Sequence, residues 1–186
     1  MARIVALSSF VAQGPIGLRG LLPALEAFGH DVLALPTVIY SNHAGQPHFA
    51  GPSLPNAELE TMLEALEKNS ALQNIAAIVT GYLPTPHHVS FASTLIQRVL
   101  KFSPHAMIIC DPILGDLPKG LYVSESAAEA LRKTLLPLAT WITPNFFEFS
   151  WLTGLSLHTY EDYIRAARSL PCKAVFVTSV PLDPGH

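Results

Sequence analysis

The sequence has little cysteine, little positive charge and no long hydrophobic run. Two cysteines, Cys110 and Cys172, occur in 186 residues, and both lie in or beside short apolar runs, where a free thiol behaves as a small hydrophobic side chain. This usage predicts a reducing, cytoplasmic environment. The 11 Lys and Arg residues are scattered and the net charge is −3, which argues against binding to nucleic acid or an anionic membrane. No stretch approaches the roughly 18 to 20 apolar residues of a membrane-spanning helix.

Two common nucleotide-binding fingerprints are also missing. Gly14 and Gly17 follow the first apolar run, but they are three positions apart, whereas a dinucleotide loop of the form G-x-G-x-x-G needs two glycines two positions apart. The sequence contains no G-x-x-x-x-G-K-[ST] segment either, which excludes a P-loop.

The eight histidines do not form a recognisable metal motif. His43 with His48, and His87 with His88, lack both the helical i, i+4 placement and the acidic or cysteine partners of zinc sites. We therefore expect histidines on the surface or in loops, and we single out His43 alone as a functional candidate.

Short apolar runs alternate with segments of helical periodicity along the whole chain. Because the strand-like runs are apolar throughout, they predict a mostly parallel sheet with helices on both faces, in a single α/β domain over 1–186. The predicted strands are Ile4–Leu7, Val32–Leu35, Ile75–Val79, Ala106–Cys110, Trp141–Ile142 and Ala174–Val177, and the predicted helices are Leu18–Phe28, Ala57–Leu66, Val89–Leu100, Ser126–Leu135 and Tyr160–Leu170.

Ligands of such sheets bind beyond the carboxyl ends of the strands. One long segment there, 40–56, is rich in Pro, Gly, His and Asn, which predicts a substrate-side loop or flap.

The run from Cys110 to Asp116 places two carboxylates around a Pro/Gly turn at the end of a strand. Such carboxylates can hold Mg²⁺ and so neutralise the phosphates of a nucleotide. The alternative is structural: Asp111 makes a local turn and Asp116 lies in water.

The segment from Thr143 to Glu148 also follows a predicted strand and leads toward a possible helix. Asn145 and Glu148 have the spacing of a helix capping box, which is a structural interpretation. A carboxylate in the first turn, beside the acidic run, would also order metal-bound water.

These motifs together resemble the pyridoxal kinase branch of the ribokinase-like superfamily. The resemblance covers the chain from the Ser9-to-Gly17 segment, through Ser41-Asn42-His43 and Thr80-Gly81-Tyr82, to Val177-Thr178-Ser179. It implies a ribokinase-like, Rossmann-like three-layer fold. It also implies phosphoryl transfer from ATP to the 5′-hydroxymethyl group of pyridoxal, pyridoxine or pyridoxamine, with Mg²⁺ or another divalent cation, K⁺ or Na⁺, and a homodimer.

The resemblance assigns roles residue by residue. It implies that Ser9, Thr37, His43 and Tyr82 surround the pyridoxal ring, that Asp111, Tyr122, Asn145, Glu148, Thr178 and Ser179 serve ATP, and that Asp111, Asp116, Thr143 and Glu148 serve the cations.

The family also has a G-x-G-D segment, beyond the position of Ser179, that carries the catalytic Asp. This sequence contains no such segment, and its one later acidic residue, Asp183, lies in a Pro/Gly turn. We therefore expect a C-terminally shortened ribokinase-like domain with no identifiable catalytic base. Two alternatives remain open: a non-catalytic protein that binds pyridoxal or a nucleotide, and a hydroxymethylpyrimidine kinase relative.

Overall fold

The computed structural model describes residues 1–180, so Asp183 lies outside the described residues. Six strands form one sheet in the order β2-β1-β3-β4-β7-β8, and every pair in it is parallel. The predicted mostly parallel α/β fold is therefore confirmed. The sheet strands are β1 (Arg3–Val11), β2 (Asp31–Tyr40), β3 (Ile75–Thr80), β4 (Met107–Cys110), β7 (Trp141–Ile142) and β8 (Ala174–Val175), and the helices are α1 (Leu18–Ala27), α2 (Asn56–Lys68), α3 (Pro86–Phe102), α4 (Glu125–Ala130), α5 (Phe146–Thr153) and α6 (Tyr160–Ser169).

The strand order explains how helices cover both faces. The chain moves from β1 to β2 in one direction along the sheet and from β2 through β3 to β4 in the other. Because crossovers between parallel strands are right-handed, α1 lies on one face and α2 and α3 lie on the opposite face. On the α2–α3 face, Val5, Ile78 and Ile108 are neighbours on adjacent strands and are at most 3% exposed.

Several stretches depart from the predicted elements. β1 and β2 continue to Val11 and Tyr40, beyond their predicted ends at Leu7 and Leu35, so that Ser9 and Thr37 lie within strands. The helix predicted over Ser126–Leu135 becomes α4 followed by a π-helical turn at Leu131–Leu135 and a 3₁₀ turn at Leu136–Leu138. Pro137 lies in that last turn, and a proline there could not donate the backbone hydrogen bond that a continued α-helix needs. A short hairpin, β5 (Gly115–Asp116) with β6 (Gly120–Leu121), was not predicted, because neither of its strands is a run of apolar residues.

The segment 40–56 contains no helix before Asn56, where α2 begins, and its backbone is hydrogen-bonded to the sheet. Its second half runs back along β2, with an antiparallel bridge between Val38 and Ser53. The amide of Ile39 donates to the carbonyl of Pro52 at 2.9 Å, and the amide of Ser41 donates to the carbonyl of Ala50 at 2.7 Å. The tip of this segment is therefore held over the carboxyl ends of β1 and β2.

His88 contradicts the expectation of surface or loop histidines. It lies in α3, is 3% exposed, and its Nδ1 and Nε2 are 2.8 Å from Thr85 Oγ1 and 3.0 Å from the Leu54 carbonyl. Burial lowers the pKa of His88, which favours the neutral ring. The two partners tie the end of the 40–56 segment to the start of α3.

Replacing His88 with Ala is expected to lower the free energy of unfolding by about 1–3 kcal/mol, because the Leu54 carbonyl loses its partner in a buried position. Urea unfolding measures this change. The matched control is His87→Ala, at an exposed neighbouring position, for which we expect a change within about 0.5 kcal/mol. Equal effects of the two substitutions would show that the buried contacts of His88 contribute nothing.

Within residues 1–180, no helix combines the length and the apolar character that crossing a membrane requires.

Candidate functional site

A cavity of about 440 Å³ lies at the carboxyl ends of β1, β2 and β3. Three of the four residues predicted to surround a pyridoxal ring line it: Ser9, His43 and Tyr82. The fourth, Thr37, is fully buried, and its hydroxyl donates to the backbone carbonyl of Tyr82 at 2.8 Å. Thr37 therefore holds the segment that carries Tyr82.

Close backbone approach shapes the wall of this cavity. Gly17 has φ +55°, and a Cβ there would collide with the backbone oxygen and hydroxyl of Ser9. Glycine at this position therefore lets the start of α1 approach the end of β1 closely. Tyr82 is fixed from another side, because its amide donates to Ser8 Oγ at 3.2 Å.

Several lining residues were not predicted from the sequence. Val11, Ile16 and Ile113 make the wall apolar, while Tyr40 and Lys119 add an aromatic ring and an ammonium group. Tyr122, which the resemblance groups with ATP, lines the same cavity. The β5–β6 hairpin carries Lys119 into this position, and no pattern in the sequence signals that hairpin.

Ile113 adopts a backbone conformation that is rare for its residue type. Its φ is 43°, in the left-handed region that a β-branched residue avoids. Strained backbone of this kind persists where the surroundings fix it, and it is concentrated at functional sites. Here it turns the chain from the acidic end of β4 into the cavity wall.

A second polar group of residues lies beside the cavity, at the ends of β4 and β7. The amide of Asp111 donates to the Thr80 carbonyl at 2.8 Å, which places its side chain at the sheet edge. Burial raises the pKa of Asp111 to about 6, and the Thr143 hydroxyl partly offsets this rise. Among the ion pairs of residues 1–180, none involves Asp111.

Glu148 is buried and its carboxylate is fully occupied by backbone amides. Its Oε1 accepts from the amides of Leu114 at 2.8 Å and Gly115 at 3.4 Å, and its Oε2 accepts from the amide of Asn145 at 2.9 Å. Asn145 Oδ1 accepts from the Glu148 amide in return, so the predicted capping box is confirmed. Burial raises the pKa of Glu148, although the three amides lower it.

The remaining predicted residues lie around this cluster. Asn145 Nδ2 donates to the Gly115 carbonyl at 2.8 Å, which fixes the loop after β4. Asp116 is exposed, and its Oδ1 accepts from the next amide, that of Leu117. Thr178 bridges to Asn145, and both Thr178 and Ser179 are exposed.

The cluster fits a magnesium ion bound together with phosphates better than a site made only of side chains. Over residues 1–180, no group of three His, Cys, Asp or Glu side chains is placed to hold a metal. Mg²⁺ commonly takes one or two carboxylates, several waters and the phosphates of a substrate. Asp111 is partly buried and forms no ion pair with another side chain of residues 1–180, so it has the charge and position for that role.

A cavity with apolar and aromatic side chains thus lies next to an acidic strand edge, at the carboxyl ends of parallel strands where α/β proteins bind ligands. The family model described as phosphomethylpyrimidine kinase matches residues 24–183. The chain belongs to the phosphomethylpyrimidine kinase family.

Curated relatives and solved structures confirm the resemblance to pyridoxal kinases. A pyridoxine/pyridoxal/pyridoxamine kinase of Bordetella avium is 37% identical over 90% of this chain and 56% of its own length. A pyridoxal kinase of Arabidopsis thaliana is 35% identical over 97% of this chain and 59% of its own length. A solved structure of a Leishmania donovani pyridoxal kinase contains ADP and pyridoxamine. It superposes on this chain with a TM-score of 0.92 at 30% sequence identity, and the match covers 99% of this chain and 64% of the Leishmania chain. The chain thus spans between 56% and 64% of these relatives.

Proposed function

We propose that this protein takes part in vitamin B6 salvage by transferring the γ-phosphoryl group of ATP to the 5′-hydroxymethyl group of pyridoxal, pyridoxine or pyridoxamine. The observation that carries this proposal is the aromatic cavity beside Asp111 at one edge of the sheet, in a chain whose relatives are named pyridoxal kinases. The Leishmania structure, with ADP and pyridoxamine bound, supports the two ligand classes.

The cavity is the proposed site of the pyridine ring. Tyr40, Tyr82 and Tyr122 supply aromatic surface, and Ser9 and His43 supply polar contacts. Thr37 acts through Tyr82 rather than on the ring. The segment 40–56 would then act as the flap that excludes water from the transferred phosphoryl group, as part of a single domain.

The acidic cluster is the proposed site of the phosphates and cations. Asp111, with Thr143 beside it, would hold Mg²⁺, whose charge offsets that of the phosphates. Glu148 positions the loop after β4, and Asp116 lies where it could reach a cation through water. Asn145, Thr178 and Ser179 would contact the nucleotide, with K⁺ or Na⁺ as a second cation. We assign no catalytic base to this chain.

The cellular setting is also a proposal. Cys110 and Cys172 are both free thiols, which supports a reducing, cytoplasmic location. A homodimer is supported by apolar surface on the sheet face opposite α2 and α3, where the rings of Trp141 and Phe176 lie 5.4 Å apart and Phe176 is 52% exposed.

Two measurements on the purified chain test the proposal. Calorimetry should show binding of pyridoxine and of MgADP. Incubation with pyridoxal, MgATP and K⁺, followed by chromatography, then tests whether this chain, to which no catalytic base is assigned, forms pyridoxal 5′-phosphate. The matched control is Asp111→Ala, which should retain pyridoxine binding and lose product.

Other outcomes distinguish the competing functions. Binding of both ligands without any product would indicate a non-catalytic binding protein. Preferential binding and phosphorylation of 4-amino-5-hydroxymethyl-2-methylpyrimidine would contradict the proposed acceptor and favour the alternative of a hydroxymethylpyrimidine kinase relative.

A further inference from the structure

The side chains of Lys119 and His43 both lie beside Gly45 in the lining of the cavity. A Cβ placed on Gly45 would lie 3.4 Å from Lys119 Nζ and 2.8 Å from the Nδ1 and Cε1 atoms of the His43 ring. The ammonium group from the β5–β6 hairpin and the imidazole from the 40–56 segment are therefore both packed around this one glycine. Both side chains line the cavity.

The hydrogen bond of His43 fixes what its ring can offer a ligand. The amide of Gly45 donates to His43 Nδ1 at 2.9 Å. That nitrogen must therefore carry no proton, and the proton of the neutral ring is on Nε2. Toward a ligand, His43 can then act only as a hydrogen-bond donor, and the same is true of the ammonium group of Lys119.

No carboxylate balances these two donors within the cavity. Its lining, drawn from residues 1–180, contains no Asp or Glu. The remaining polar side chains are the hydroxyls of Ser9 and of three tyrosines, which rotate to donate or accept as a ligand requires. The two polar side chains with fixed roles, His43 and Lys119, therefore donate hydrogen bonds, and Lys119 adds a positive charge.

We propose that Lys119, together with His43, makes the cavity selective for rings that carry an acidic hydroxyl, such as 3-hydroxypyridines, over aminopyrimidines. An ionised ring oxygen accepts from both donors, and charge assistance strengthens such bonds. An exocyclic amino group brings a third donor and meets no carboxylate. The inference rests on the proposed function, because it concerns the acceptor bound in the same cavity.

Calorimetric binding of three ligands to the full chain tests this selectivity: pyridoxine, pyridoxine lacking its 3-hydroxyl group, and 4-amino-5-hydroxymethyl-2-methylpyrimidine. We use pyridoxine because it lacks the aldehyde with which lysines react. Since Lys119 is exposed, we expect pyridoxine to bind about threefold to tenfold more tightly than either other ligand. Lys119→Met should abolish this ratio and Lys119→Arg should retain it. The control Lys101→Met, at the end of α3 and outside the cavity lining, should leave it unchanged.

The outcomes separate this inference from the proposed function. One contrary result is that pyridoxine binds without any preference over the other two ligands, and another is that the preference persists in Lys119→Met. Either result would contradict the proposed role of Lys119 and leave the proposed B6 site uncontradicted. If no B6 compound binds, both the inference and the proposed function fail. Because the readout is a ratio between ligands, a general loss of folding in one variant would not imitate the expected result.

Discussion

Replacing Asp111 with Asn is expected to stabilise the metal-free protein at pH 8 and to abolish its stabilisation by Mg²⁺. Burial raises the pKa of this carboxyl from 3.8 to about 6, so the folded protein disfavours the ionised form. One unit of pKa corresponds to about 1.4 kcal/mol. Ionised Asp111 therefore costs about 1–3 kcal/mol of stability at pH 8, and Asn removes this cost.

The sign of the pH dependence follows from the same shift. Between pH 3.8 and about 6, the folded state holds a proton on Asp111 that the unfolded state has released, so the contribution of this group to stability falls as the pH rises. Asn does not titrate. The advantage of the variant should therefore grow from pH 5 to pH 8, where it corresponds to a rise in Tm of roughly 2–10 °C.

Thermal unfolding at pH 5 and pH 8, with and without Mg²⁺, measures both effects. In the presence of ADP, which supplies phosphates, we expect Mg²⁺ to raise the Tm of the wild type at pH 8 and to leave Asp111→Asn unchanged. The control is Glu26→Gln, because Glu26 is exposed on α1, and its Tm should match the wild type with and without Mg²⁺. A variant less stable than the wild type at pH 8 would show that the buried carboxylate is satisfied without a cation.

The positions of the sheet strands were predictable because each is a short run of apolar residues. A strand covered on both faces has no alternation to interpret, and a short apolar run between turn signals, even the two residues Trp141 and Ile142, suffices to locate it. The ends of the predicted strands place Ser9, Tyr82 and Asp111 at one edge of the sheet on the basis of the sequence alone. The α/β fold and the general location of the site follow from that pattern.

The contacts within the site were not predictable in the same way. Lys119 reaches the cavity from a hairpin of two-residue strands, and His88 is buried because Leu54, 34 residues earlier, returns beside α3. Both arrangements depend on tertiary contacts that no local window contains. The left-handed backbone of Ile113 is similar, since its residue type argues against it.

The motif that contains Glu148 was recognisable in the sequence, but the contacts of its carboxylate were not. The spacing of Asn145 and Glu148 predicted a capping box, and the resemblance implied a role with cations. The structure adds the amides of Leu114 and Gly115, which belong to a loop more than 30 residues earlier. With three amides on its two oxygens, Glu148 serves as the link between the start of α5 and the loop after β4.

Removing this link should be the most destabilising change in the cluster. Glu148→Ala leaves three backbone amides without their acceptor in a buried position, and we expect a loss of about 2–4 kcal/mol in the free energy of unfolding. Glu148→Gln keeps an oxygen for Leu114 and Gly115 but turns an NH₂ group toward the amide of Asn145. The loss should then be smaller, about 1–2 kcal/mol, because the variant also removes a buried charge.

Urea unfolding and hydrogen exchange at the amides of Leu114 and Gly115 together test this role. Both amides should exchange faster in Glu148→Ala than in Glu148→Gln, and slowest in the wild type, because exchange requires the loop after β4 to open. The control Glu129→Gln changes a surface carboxylate that pairs with Arg132 and Lys133, and its Tm and exchange should match the wild type. Unchanged exchange in Glu148→Ala would show that the loop keeps its conformation without the carboxylate, and that the strained turn at Ile113 is stabilised by its packing in the cavity wall instead.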